Sequence, residues 1–280
     1  AFDDHVHDAN TKGRKSCTHL IMDAWIKGIR RLRVIHYNFI EPRFAAELFE
    51  AAKILDIDVR IGIEYSARYR DKYVQLIWVP RGFADAQAFL CFLAEPPVMN
   101  LMEAGRRASL YQQEYVIHLL KKFNAVHRLD LNSRLGIELP PIDEAEFLAF
   151  VGIGQKSKLH LSKFIHDKMM KALKGKVAAL SRELEASTPD RRREIAEWVD
   201  CLNPMDLEAL VDGYLEQSRN PEIPFPDRPC SGPDVPDLLQ LTPPAILSRL
   251  AALHSGYRVT LNLTDLKVEE VLELLYDCQG

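Results

Sequence analysis

Two periodicities take turns along the first 80 residues. Phe2 to His7 alternates as a short strand does, and Thr18 to Ile29 then carries Leu20, Ile21, Ala24 and Trp25 at helical spacing. Leu32 to Phe39 is strand-like. Glu41-Pro42 opens a helix through Ala45, Leu48, Ala51, Ala52 and Leu55, with proline in the first turn, where its missing N–H costs nothing. Val59 to Ser66 and Tyr73 to Val79 are predicted strands joined by the charged stretch Arg68 to Lys72, which reads as a hairpin. This βαβαβ order predicts parallel strands under a helical layer.

From Ala84 to about Leu215 the pattern is helix after helix: Ala84 to Leu93, Leu101 to Phe123, Glu144 to Phe150, Leu161 to Leu184, Asp190 to Trp198 and Pro204 to Leu215. Eight prolines then fall between Asn220 and Pro244, predicting an extended loop or linker. Pro243 and Pro244 start a helix to Leu253, Tyr257 to Leu263 alternates as a strand, and Val268 to Tyr276 is helical with Glu269, Glu270 and Glu273 outward. The expected organisation is therefore βα units over 1–83, a helical insertion or cap over 84–219, a proline-rich linker over 220–244 and a returning βα unit over 245–280. The fold class is α/β and barrel-like.

Composition narrows the partners. With 36 basic and 40 acidic side chains the net charge is −4, which argues against dedicated nucleic-acid binding. No apolar run reaches the ~20 residues of a membrane span. Five widely spaced cysteines without a CxxC pair are expected to be reduced thiols of a cytoplasmic protein. The chain starts at Ala1 and ends on Tyr276-Asp277-Cys278-Gln279-Gly280, just after a helical pattern, so more chain and a further domain of the same polypeptide are expected.

The sharpest local chemistry is Asp3-Asp4-His5-Val6-His7-Asp8. On a strand, residues two apart share a face, so both imidazoles point one way while Val6 packs behind, an edge ready for a metal. The plain alternative is a surface strand with chance histidines. Glu64 ends the apolar strand Val59, Ile61, Ile63, and His36 holds the equivalent place after the second strand. In parallel α/β proteins, sites form at these carboxyl ends. Three successive strands thus end in groups able to ligate metal, unless all are independent polar strand ends.

On these residues the chain resembles the PHP superfamily, named for polymerase and histidinol phosphatase domains. That family opens with a D-x-H-x-H strand end and a helix ending in glycine, matched by Asp3 to His7 and Ala24 to Gly28. Its second strand ends in an Asp-His-Asn-like turn and its third in Gly-x-Glu before a hairpin, places held by Ile35 to Asn38 and Gly62 to Ser66. A Gly-Arg-x-His-like helix start is similar to Gln155 to Leu161. The resemblance implies a distorted (β/α)7 TIM-like barrel, incomplete at the C-terminus and carrying a large helical insertion. It also implies a centre of Mn, Zn or Fe ions hydrolysing phosphate esters. His5 and His7 would be ligands, Glu64 a metal-bridging carboxylate, His36 a further ligand or catalytic group, and His160 a substrate or acid group.

The chain departs from the family pattern at several positions. Tyr37 follows His36 where the family has His after Asp, Lys12 precedes Gly13 where it has Asp, and Gln75 stands where the hairpin strand usually carries a histidine. The final Asp-x-His has no counterpart. Basic side chains after the strand ends (Lys12, Arg14 and Lys15; Arg68 and Arg70; Arg81) could hold a phosphate or other anion, or be solvated loop charges. His118, His127 and His254 read as structural. The expected function is a metal-dependent phosphoesterase acting on a phosphorylated small molecule or nucleotide. The alternative is a degenerate module of the same fold that binds a ligand or partner domain without catalysis.

Overall fold

The computed structural model describes residues 1–11, 13, 15–202, 206–226, 228–264 and 266–278, without the side chains at 185–186 and 201–202. Its sheet is mixed and five-stranded, in the order β1 (Phe2–Val6), β2 (Arg31–Tyr37), β3 (Asp58–Tyr69), β4 (Lys72–Pro80) and β5 (Tyr257–Leu261). The first three strands run parallel because helices α1 (Cys17–Ile26) and α2 (Pro42–Ile54) cross over between them. The charged stretch makes the expected hairpin: β3 and β4 are antiparallel, and Arg70 takes the left-handed backbone at the turn (φ 56). β5 returns antiparallel to β4.

The sheet is open. A barrel closes only when its two edge strands pair, and here β1 and β5 are the edges of the order. The closed barrel implied by the family resemblance is thus not formed by the described residues.

Downstream of the hairpin come α3 (Ala86–Leu93), α4 (Pro96–Lys122), α5 (Arg128–Leu135), α6 (Glu144–Val151), α7 (Lys158–Ala186), α8 (Pro189–Leu202), α9 (Leu207–Leu210), α10 (Asp237–Gln240), α11 (Pro243–Leu253) and, after β5, α12 (Val268–Asp277). A wider turn over Phe123–His127 carries α4 into α5. The proline-rich stretch holds one short helix, α10, entered from Pro236. The chain divides into two compact units, one of 1–112, 153–155 and 226–280, the other of 113–152 and 156–225. The second unit is helical around Leu119, Phe123, Phe147, Leu161 and Leu215.

In the first unit the two sheet faces differ in chemistry. Leu32 and Val34 of β2, Ile61, Ile63 and Tyr65 of β3, and Leu76 and Trp78 of β4 join Ile21, Ala24, Ala45, Leu48 and Phe92 in one core on the helix side. The alternate residues face the other way, where Ile35, Ile77 and Val79 form a small apolar band of their own. Parallel strands are usually apolar on both faces, yet here polar groups stand above and below that band.

Tyr65 lies fully buried in the helix-side core, and its hydroxyl has no hydrogen-bond partner among the described residues. An orphaned buried hydroxyl costs about 1 kcal/mol or more. Tyr65→Phe should therefore raise the denaturant midpoint; a loss of stability would mean that the hydroxyl is satisfied.

Candidate metal centre

Glu64 owes its direction to the alternation of β3. Ile63 and Tyr65 on either side of it enter the helix-side core, so Glu64 faces away with Gly62 and Ser66. A Cβ at 62 would lie 2.7 Å from Ile35 Cδ1 and 3.2 Å from Val79 Cγ2, so glycine lets the apolar band close beside the carboxylate.

β1 brings the histidines. Asp3 pairs with Leu32 and Val6 with Val34, three steps against two, so the strand bulges between them. Val6 packs against the helix-side core, and the imidazoles of His5 and His7 meet over Glu64. Their Nε2 atoms are 3.2 Å apart, His5 Nε2 is 3.7 Å from Glu64 Oε2, and all three ligand atoms fall within 4.8 Å of one another.

The protonation of this cluster follows from its partners. His7 Nδ1 is 2.8 Å from the carbonyl oxygen of Ile35. A carbonyl only accepts, so Nδ1 carries the proton and the Nε2 lone pair points into the cluster, the tautomer a metal ligand needs. The Tyr37 hydroxyl, 3.1 Å from that Nε2, donates to it, and the two rings stack at 4.7 Å. Burial, together with the Arg33 charge, holds His5 below the usual histidine range, which keeps it neutral near pH 7. Two neutral imidazole nitrogens and a buried carboxylate are a donor set for a borderline divalent ion.

His36 is not part of this cluster. Register pairs Tyr37 with Glu64 and His36 with Ile63, so Tyr37 stands beside the carboxylate while His36 turns to the helix side. There it is 2% exposed, with Nε2 3.7 Å from Asp8 Oδ2. Asp8, fully buried, accepts from the Asn10 backbone N–H (2.9 Å), Asn10 Nδ2 (3.1 Å) and the Cys17 thiol (3.1 Å). Burial pushes the Cys17 thiol up and the His36 imidazole below its ordinary 6.5, with Asp8 opposing the latter only in part.

A depressed histidine has a definite consequence for stability. The unfolded chain takes up the His36 proton first, so this contribution is complete above pH 6.5 and is lost as pH falls from there through the lower folded value. Between pH 7 and 5 the wild type should lose up to about 1.4 kcal/mol per pH unit more than His36→Gln. Parallel denaturation curves for the two proteins would contradict this.

The remaining sequence candidates scatter. Lys12 and Arg14 lie outside the described residues. Lys15 pairs with Asp23 at 2.6 Å, and Arg70 with Glu273. Arg68 donates to Ser231 Oγ at 3.1 Å. Arg81 follows β4 as it returns antiparallel to the starting ends of β1 to β3, away from Glu64. His160 belongs to the second unit, in the first turn of α7, where its backbone N–H and Nδ1 both meet the Ser157 cap hydroxyl.

Tyr37 stands out in the sequence only as a departure from the family pattern, and the polar network beside it does not stand out there at all. Asn38 Nδ2 donates to Ser109 Oγ and Gln112 Oε1, Gln112 donates to Ser66 Oγ, and Ser66 to Gln75 Oε1. Gln75 is therefore engaged in this wall. Its signal in the sequence was the alternation Glu64, Ser66 opposite Gln75, legible only with the hairpin register in hand.

No family model matches the chain, and no curated protein does. Among solved structures it is similar to an amidohydrolase from Chromobacterium violaceum, with a TM-score of 0.54 at 15% identity over 99% of this chain and 73% of that one. It is also similar to a candidate metal-dependent phosphoesterase from Bifidobacterium adolescentis, with a TM-score of 0.49 at 13% identity over 99% of this chain and 74% of that one. At such identities the likeness is one of fold. No helix is long and apolar enough to cross a membrane among the described residues.

Proposed function

We propose that this chain is a metal-dependent hydrolase of phosphate esters, its ion held by His5, His7 and Glu64. The observation that carries the reading is the convergence of two imidazole Nε2 atoms and a buried carboxylate, with the His7 lone pair fixed inward by the Ile35 carbonyl. The fold shared with an amidohydrolase agrees with it, as does the family resemblance of the HxH and Gly-x-Glu strand ends.

A bound divalent ion would act as a Lewis acid and lower the pKa of a water toward 7. The chain's own residues supply orientation and protons. Ile35 O holds the His7 ring, and Glu64 contributes the negative charge that offsets the ion. The Tyr37 hydroxyl, beside both, is a proton donor to a leaving oxygen. The wall of Asn38, Gln112, Ser66 and Gln75 offers uncharged polar groups to the non-reacting part of a phosphorylated small molecule or nucleotide.

The test is metal content by plasma mass spectrometry after loading with Mn²⁺, Zn²⁺ or Fe²⁺, followed by a panel of phosphate monoesters. The expected result is near-stoichiometric metal and turnover, both falling at least about a hundredfold in His5→Ala/His7→Ala. Metal without turnover would leave a binding module of the same fold. No metal in either protein would remove the proposal.

A further inference from the structure

The face of the sheet that carries Glu64 has a second polar region at its other end. Two residues before Ile35 comes Arg33, two before Gly62 comes Arg60, and two after Val79 comes Arg81. Register sets Arg33 beside Arg60 and Arg258 beside Val79, so arginines from β2, β3 and β5, with Arg81 just past β4, gather on one surface. Ile35, Ile77 and Val79 stand between them and the His5, His7 and Glu64 cluster. With Arg31 at the rim, they line a cavity of about 250 Å³.

The charges there do not cancel. Five guanidinium groups face two carboxylates: Asp4 accepts from Arg33 at 3.2 Å, and Asp58 lies 3.7 Å from Arg60. The excess is three positive charges. The Arg33 side chain is only 8% exposed, yet its Nε–H has no hydrogen-bond partner among the described residues, and neither does the buried Nε–H of Arg81. Burial and the like charges of Arg60, Arg258 and Arg33 also press the Arg81 guanidinium below its usual range. Two buried N–H donors without a partner, set in an excess of positive charge, are costly unless an anion completes them.

We infer that this pocket is an anion site, distinct from the metal centre, for a phosphate dianion or the phosphoryl group of a small molecule. Donors converge from separate strands rather than from one planar fork, which suits a tetrahedral oxyanion, and the volume admits one such group. The inference does not depend on the hydrolase reading.

It is tested by calorimetric titration of the whole chain with inorganic phosphate in EDTA, at constant ionic strength set with chloride. Glycerol phosphate in parallel distinguishes the free ion from a phosphoryl group. Saturable binding is expected, unchanged in His5→Ala/His7→Ala and weakened at least about tenfold in Arg81→Met and in the exposed, edge-strand Arg258→Gln. Arg81→Met should also raise the phosphate-free melting temperature by removing a buried donor. Should that variant fail to fold, Arg258→Gln decides. Binding that chloride reproduces, that survives both arginine substitutions, or that disappears with the histidines would overturn the assignment.

Discussion

Replacing Glu64 by glutamine should cut divalent-metal affinity by about a hundredfold or more while leaving the metal-free protein as stable or slightly more so. The two effects have one origin. Glu64 is 5% exposed, and burying an ionised carboxylate costs several kcal/mol that only an opposing charge recovers. The imidazoles over it bring no charge of their own: His5 is held neutral by burial, and His7 turns a lone pair toward the cluster. The amide keeps the shape and drops the charge, so the metal-free state loses little. With metal, the change removes one of three donors and the only negative one in the cluster. A loss of about 3 kcal/mol corresponds to roughly a hundredfold. Calorimetric titration with Mn²⁺ and Zn²⁺ reads the affinity. Thermal denaturation with and without EDTA reads the rest, since the metal-dependent rise in melting temperature should vanish in the variant. Unchanged affinity in a folded variant would show that Glu64 is not a ligand.

Much of this site was legible in the sequence because strand alternation is a strong rule. Val59, Ile61 and Ile63 put Glu64 at the end of an apolar strand, and Val6 between two histidines announced a shared face. The parallel order of β1, β2 and β3 and the antiparallel hairpin also followed from where helical and alternating patterns changed over. What alternation cannot supply is register. His36 and Tyr37 are equally close to the end of β2 in sequence, and only the pairing of Tyr37 with Glu64 decides which reaches the cluster. The bulge in β1 and the polar wall around Gln75 were hidden for the same reason. The arginine pocket was hidden more deeply, since Arg33 and Arg258 come to line one cavity only once four strands are aligned. The expected barrel came from the family resemblance, and the described strands leave their edges open.

Gly13→Ala should be a strongly damaging single methyl in the first unit. A Cβ at 13 would fall 2.1 Å from the His7 carbonyl oxygen and 2.6 Å from the carbonyl carbon and oxygen of Asp8. These are backbone atoms, so no side chain can swing aside. The turn that places Gly13 there is held by the Asp8 carbonyl, which accepts from the backbone N–H of Thr11 (3.1 Å) and Gly13 (2.8 Å) and from the Thr11 hydroxyl (3.0 Å). The methyl must push this turn off the strand end that carries His7 and the buried Asp8. Overpacking of this kind costs about 3 kcal/mol, which is roughly 6–12 °C in melting temperature for a domain of this size. Because the displaced backbone belongs to His7, metal affinity should fall together with stability. Gly175→Ala is the matched control. It adds the same methyl inside α7, where nothing lies within 4 Å, and should gain about 1 kcal/mol from helix propensity. Equal and small effects at the two positions would mean that the turn at Gly13 is loose, and the fixed geometry of His7 would then need another cause.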